Sequence, residues 1–209
     1  MRPLRLLVGI FTFSIPMIGA STSDPKPAKV SEIIADLNYL LSNATAYNAY
    51  VNDPDYYNGQ SGNNLTALLE AFYQVSNMTA YLDSALPALY TRLLGKISDL
   101  GVAEEINGIY KQFTNQTASW MNVLGSGETG FYLFAGGTGP GKSCERALDA
   151  LGSSFKYYAQ TLLQTVEFFL PGPDNGDPKV AITFANSTTL AETAISTASL
   201  YFSVFLVGF

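Results

Sequence analysis

Apolar residues recur at steps of three and four along most of the chain, which is the period of an amphipathic helix. The clearest run extends from Val30 to Val51 and predicts the first helix. A turn-rich segment with Pro54, Gly59 and Gly62 follows it, and we expect the chain to reverse there.

A second apolar stripe starts after Asn64, which is a candidate N-cap, and continues to residue 97. Leu69 is among the positions that this stripe predicts to be buried. Pro87 lies inside the stripe and should kink or restart the helix, because its ring removes a backbone donor.

We expect a break at Gly101 and then a looser third helical run over residues 102–124. Residues 125–141 contain seven glycines and predict one long glycine-rich loop, with or without a short strand at residues 131–134.

Ser143 is a candidate N-cap for a fourth helix, which Pro171, Gly172 and Pro173 should end. Residues 180–184 read either as a short strand or as the start of a last helix. The pattern therefore predicts an all-α bundle of four to five amphipathic helices with one long Gly-rich loop, in a single domain over residues 30–209.

The chain start has the pattern of a secretory signal peptide over residues 1–20, followed by a polar linker at residues 21–29. Arg2 and Arg5 precede a short apolar run, which ends at small residues suited to cleavage. This pattern predicts a secreted protein.

Sequons for N-glycosylation agree with passage through the secretory pathway. Five Asn-x-Ser/Thr sites occur, at Asn43, Asn64, Asn77, Asn115 and Asn186. Together with the signal pattern they indicate a glycoprotein.

The chain is acidic, with a net charge of -6 that becomes -8 once Arg2 and Arg5 are removed with the signal peptide. Such a surface repels nucleic acid, so we expect no nucleic-acid partner. Cys144 is the only cysteine, which excludes an internal disulfide. It is either a small buried hydrophobic residue or a thiol that pairs with another chain.

The chain has no histidine, which excludes catalytic relays and metal sites that depend on imidazole. Glu104 and Glu105 are adjacent on a predicted helix and point to different faces, as solvated charges do. We expect no catalytic residue, no metal and no cofactor, although enzymatic activity stays open.

One segment fits the phosphate-loop pattern G-x-x-x-x-G-K-[ST], through Gly136, Gly141, Lys142 and Ser143. Lys142 would reach the outer phosphates of a nucleotide and Ser143 would hold magnesium. However, no acidic residue follows a later strand, and the flanking segments are predicted to be helical. Nucleotide binding is therefore the less favoured interpretation.

The chain has thirteen tyrosines, thirteen phenylalanines and one tryptophan, and most of these should build the core. Five of them lie in or beside turn-rich segments and are candidates to contact an apolar ligand: Phe131, Tyr132, Phe134, Phe168 and Phe169. They could equally close the ends of the bundle. Residues 200–209 form an apolar tail, which is either the end of the last helix or a candidate GPI-anchor signal.

The chain resembles the fungal hydrophobic surface-binding protein A family, which includes cell-wall galactomannoproteins. The resemblance lies in residues 30–37, in the turn at residues 50–59, in the helix at residues 64–94 and in residues 160–163 ahead of Leu170-Pro171. It implies a secreted helical protein that adsorbs to hydrophobic surfaces, and some members of the family bind fatty acids between helices.

The sequence thus favours a non-enzymatic glycoprotein, secreted or in the cell wall, that binds lipid, fatty acid or a hydrophobic surface. Cell-wall polysaccharide is a further candidate partner. The alternative is a secreted enzyme or accessory factor that uses the loop at residues 136–143, or carboxylates, on a small substrate.

Overall fold

Five α-helices make up nearly all of the chain that the computed structural model describes, which is residues 30–53, 63–90, 100–126, 140–167 and 178–204. The helices are α1 (Val30–Val51), α2 (Asn63–Tyr90), α3 (Leu100–Leu124), α4 (Pro140–Glu167) and α5 (Pro178–Val204). No strand occurs within these ranges. The predicted all-α bundle is confirmed, while most of the predicted glycine-rich loop lies outside the described residues.

The helices are arranged as a ring in which each packs chiefly against two others. Around the ring the order is α1, α3, α5, α4 and α2, which returns to α1. The α3–α5 contact is the most extensive and the α1–α2 contact is the least extensive of the five. Neighbours along the chain are therefore often not neighbours in the bundle.

Aromatic side chains from α3, α4 and α5 fill much of the interior. The rings of Tyr110 and Phe184 stack with centroids 4.0 Å apart and planes 4° from parallel. Phe113 meets Phe155 of α4 at 5.9 Å. The largest fully buried side chains are mostly aromatic: Trp120, Tyr110, Tyr158, Phe113, Phe155, Phe184 and Phe202. Large rings bury much area each, so these contacts dominate the packing.

Three predicted helix boundaries are wrong. Asn64 is not the N-cap of α2, because that helix already begins at Asn63, and Gly101 lies inside α3. Ser143 lies in the first turn of α4, which begins at Pro140. Proline suits the first helical position, since its missing N–H would have no partner there. A single glycine costs a helix only about 1 kcal/mol, which tertiary packing can exceed.

Of the kink or restart expected at Pro87, the restart is wrong, because α2 continues to Tyr90. The carbonyl that Pro87 leaves without a donor is that of Asp83, an exposed residue that water can reach. Leu69 is 62% exposed, because the buried face of α2 is formed by Ala71, Val75, Met78 and Leu82.

Residues 180–184 belong to α5, so the helical alternative is correct and the strand alternative is wrong. Phe184 is buried while Ile182 is exposed, as expected for positions on different sides of a helix. Pro178 begins α5 in the same manner as Pro140 begins α4.

Two glycines of α3 and its C-terminal end differ in their surroundings. A Cβ added to Gly125 would lie 3.0 Å from the Cα of Ala198, so α5 approaches the end of α3 too closely for a side chain. A Cβ added to Gly108 would meet nothing within 4 Å. Gly125 is thus a packing requirement, whereas Gly108 is an exposed helical position.

We expect Gly125→Ala to lower the free energy of unfolding by about 1–3 kcal/mol, because backbone atoms must move apart. Gly108→Ala should raise it by about 0.5–1 kcal/mol, because alanine favours the helix. Urea denaturation of both variants checks this. Equal effects of the two substitutions would contradict the close approach of α3 and α5.

Candidate functional site

Seven polar side chains are buried in the described residues, and three of them, all threonines, bond to their own helix. The hydroxyl of Thr114 donates to the carbonyl of Lys111 at 2.9 Å. Thr161 donates to the carbonyl of Tyr157 at 2.8 Å, and Thr165 donates to that of Thr161 at 2.7 Å. Each of these hydroxyls already donates a hydrogen bond and does not need a ligand as its acceptor.

Four other buried polar atoms have no hydrogen-bond partner in the described part of the chain: Gln74 Oε1, Asn107 Oδ1, Thr117 Oγ1 and Trp120 Nε1. Thr117 and Trp120 are fully buried and lie one turn apart on the same side of α3. Leaving a buried polar group unpaired costs about 1–3 kcal/mol. Thr117 and Trp120 therefore place two unpaired polar atoms within one turn of α3, and we call these two residues the α3 polar pair.

Helix α1 holds the α3 polar pair in place from one side. The rings of Tyr47 and Trp120 lie 5.1 Å apart. Four residues before Trp120, the amide of Gln116 accepts a hydrogen bond from Asn48 Nδ2 at 2.8 Å. The indole is thus fixed by contacts of its ring, while its N–H stays available.

The contact between α1 and α2 is rich in tyrosine. The rings of Tyr39 and Tyr81 meet edge to face at 5.0 Å. A hydrogen bond with Tyr39, together with burial, raises the pKa of Tyr81 to about 12. Burial also raises the pKa of Tyr47, although a hydrogen bond from Asn77 opposes this. Tyr39 and Tyr73 are 52% and 54% exposed, so this thin contact presents aromatic surface to solvent.

On the far side of the ring, Tyr110 joins α3 to α5. Its hydroxyl lies 2.8 Å from Thr188 Oγ1, which in turn donates to the carbonyl of Phe184 at 2.9 Å. Burial raises the pKa of Tyr110 well above its ordinary value. This tyrosine is fully bonded and serves the packing of the bundle.

A shallow groove of about 370 Å³ runs along the outside of α5. Besides the large apolar side chain of Leu190, its walls are formed by polar or small residues: Asn122, Asn186, Thr189, Thr193, Ala194 and Thr197. No charged side chain lines it, and the predicted glycosylation site Asn186 lies within it.

The predicted phosphate-loop residues are only partly described. Gly141, Lys142 and Ser143 lie in the first turn of α4, and both Lys142 and Ser143 are exposed. Gly136 lies outside the described residues. Glu104 and Glu105 are both exposed. Across the described ranges no group of three or more acidic or cysteine side chains is placed to hold a metal ion.

All five predicted apolar-ligand residues, Phe131, Tyr132, Phe134, Phe168 and Phe169, lie outside the described residues. Sequence reasoning missed the α3 polar pair. A signal was present, because Thr117 occupies a position of the apolar stripe between Phe113 and Trp120. A hydroxyl at such a position is a candidate for an interior polar contact.

A known protein resembles this chain in structure but not in sequence. No family model and no curated protein sequence matches the chain. Among solved structures, it is similar to AfMP4p in complex with palmitic acid, with a TM-score of 0.58 and 13% sequence identity. The match covers 83% of this chain and 99% of that chain. At this identity the likeness shows a shared helical fold.

None of the five described helices has both the length and the hydropathy to cross a bilayer.

The single thiol, Cys144, is 6% exposed in α4. Burial raises its pKa to about 12. Since the thiolate is the reactive form, the folded protein should protect this residue twice, by exclusion of reagents and by suppression of ionisation.

We expect Ellman's reagent to modify Cys144 only as fast as the protein unfolds at mildly alkaline pH. A matched control is Ser153→Cys in a Cys144→Ala background, which places a thiol at an exposed position of the same helix. The control should react at the rate of a free thiol. Equally fast labelling of the two folded proteins would contradict the burial of Cys144.

Proposed function

We propose that this protein is a secreted glycoprotein that binds a long-chain fatty acid or a similar lipid between the helices of its bundle. The observation that carries the proposal is the shared fold with AfMP4p, whose structure was solved in complex with palmitic acid. The match spans 99% of that chain, so the likeness extends over the whole AfMP4p structure and is not limited to one or two helices.

The chemistry of the interior supports an apolar ligand. Within the described residues, the buried polar side chains are those of glutamine, threonine and serine, and none carries a charge. Burial of each methylene contributes about 0.8 kcal/mol, so a palmitoyl chain can supply the binding energy without any ion pair. Such a site needs one or two polar contacts to fix the head of the ligand.

Adsorption to a hydrophobic surface is the second form of the proposal. Tyr39, Leu69 and Tyr73 of α1 and α2 are large apolar residues that face solvent. Other exposed apolar residues, such as Tyr157 and Leu200, lie on α4 and α5. These exposed residues are distributed over several helices, whereas the buried apolar residues form one core. We therefore favour the interior over the outer surface as the binding site.

The location that we propose is outside the cell or in the cell wall. It is supported by the signal pattern at residues 1–20 and by the sequons. Cell-wall polysaccharide as a partner and a GPI signal at residues 200–209 belong to the same proposal. Residues 200–204 form the end of α5, and the remaining tail lies outside the described residues.

We expect the protein to bind palmitate and to gain stability from it. Mass action predicts about 2.7 kcal/mol of stabilisation when free palmitate is at a hundredfold excess over its Kd. Affinity should fall about tenfold for every two methylenes removed from the acid. Calorimetry with acids of decreasing length measures this series.

Two variants separate the alternatives. Lys142→Ala should bind palmitate as the wild type does, because Lys142 is an exposed residue in the first turn of α4. Loss of binding in this folded variant would favour the loop-based alternative. A triple variant, Tyr39→Ser, Leu69→Ser and Tyr73→Ser, should keep palmitate binding. Retention of wild type on hydrophobic beads, without palmitate binding, would support surface adsorption instead.

Glycan occupancy should follow the exposure of the sequons. Asn115 and Asn186 are exposed, whereas Asn77 is half-buried and bonds to Tyr47. We expect Asn115→Gln and Asn186→Gln to lower the mass of the secreted protein by one glycan each, with no change for Asn77→Gln. Intact mass spectrometry checks this, and a glycan at Asn77 would contradict the α1–α2 contact.

A further inference from the structure

We infer that the α3 polar pair, Thr117 and Trp120, binds the carboxyl group of the fatty acid. This inference rests on the proposed function and adds the position and chemistry of the ligand head. It starts from two buried donors on α3, the hydroxyl of Thr117 and the indole N–H of Trp120, which have no hydrogen-bond partner in the described part of the chain.

Thr117 is an exception among the buried threonines of the described helices. The hydroxyls of Thr79, Thr188 and Thr189 donate to the carbonyl four residues earlier, as Thr161 and Thr165 also do. Thr114, one turn before Thr117 on the same helix, donates to Lys111. Thr117 is fully buried and makes no such bond. Its hydroxyl is therefore free to donate to a ligand.

Trp120 supplies a second donor one turn further along α3. An indole N–H can only donate, so it needs an acceptor and gains nothing from another donor. The contact with Tyr47 fixes the ring without involving Nε1. Two donors on one side of a helix match a group with two acceptor oxygens, which is what a carboxyl group offers.

The surroundings of the pair suit the rest of such a ligand. The adjacent buried positions of α3 are Phe113, Met121 and Leu124, which are apolar. A ligand with one oxygen-bearing end and a long hydrocarbon chain satisfies both kinds of surface at once. A purely apolar ligand would leave the two donors unpaired, at the cost of their desolvation.

Binding of palmitate and of methyl palmitate to matched variants tests the inference. Thr117→Val and Trp120→Phe each remove a donor and keep most of the side-chain volume, and Thr114→Val removes a hydroxyl that already has a partner. Because Thr117 also completes the sequon of Asn115, every protein in the series carries Asn115→Gln.

We expect Thr117→Val and Trp120→Phe to weaken palmitate binding about tenfold each, and to reduce the preference for the acid over its ester. Thr114→Val should change neither. Palmitate affinity that is unchanged in both donor variants would overturn the inference, and so would an equal loss in Thr114→Val.

A second measurement uses only wild-type side chains at the site. Trp120 is the sole tryptophan, so its fluorescence reports on this position alone. Palmitate with bromine at the carbon beside the carboxyl group should quench the emission more than palmitate with bromine at the far end. Equal or reversed quenching would overturn the inference even if Trp120→Phe failed to fold.

The two failures are distinguishable. If palmitate binds but the variants and the quenching show no role for α3, the carboxyl assignment is wrong and the proposed function stands. If neither acid nor ester binds, both are wrong.

Discussion

The packing of α3 against α5 is the contact on which the rest of the bundle depends. Helix α3 also packs against α1, and α5 also packs against α4, while α2 closes the ring between α1 and α4. The α3–α5 contact therefore joins the two sides of the ring. Tyr110 and Phe184 stack within it, and Gly125 lets the backbones approach closely near Ala198. Because the chain has a single cysteine, no internal disulfide adds to the stability that this contact provides.

This arrangement gives α3 a double role. Its face toward α5 is satisfied, since the hydroxyl of Tyr110 reaches Thr188. Further along the same helix, Thr117 and Trp120 are buried with polar atoms left unpaired. A site carried by the best-packed helix is held rigidly, which favours binding because little order has to be gained when the ligand arrives. The α1–α2 contact is thinner and its tyrosines are partly exposed, so we expect motion to concentrate there.

The sequence predicted the helices well and their ends less well. The stripe from Val30 to Val51 coincides with α1, because a long regular pattern leaves one apolar face to bury. Asn64, Gly101 and Ser143 were misassigned as boundaries, since a local preference of about 1 kcal/mol yields to packing over a whole helix. Leu69 was misplaced because adjacent apolar residues do not show by themselves which of them faces the core. The five aromatic candidates for ligand contact lie outside the described residues and stay predictions.

The sequence by itself determined that the chain forms amphipathic helices, that packing and not disulfides must hold them together, and that histidine chemistry is absent. These properties depend on residue type and on spacing within one segment. Only the tertiary structure decided that α3 lies between α1 and α5, and that Thr114 is satisfied while Thr117 is not. The two threonines have the same chemistry and lie one turn apart on one helix. Thr114 donates to a carbonyl of its own helix and Thr117 makes no such bond. The complete burial that keeps water from the hydroxyl of Thr117 depends on contacts between distant parts of the chain.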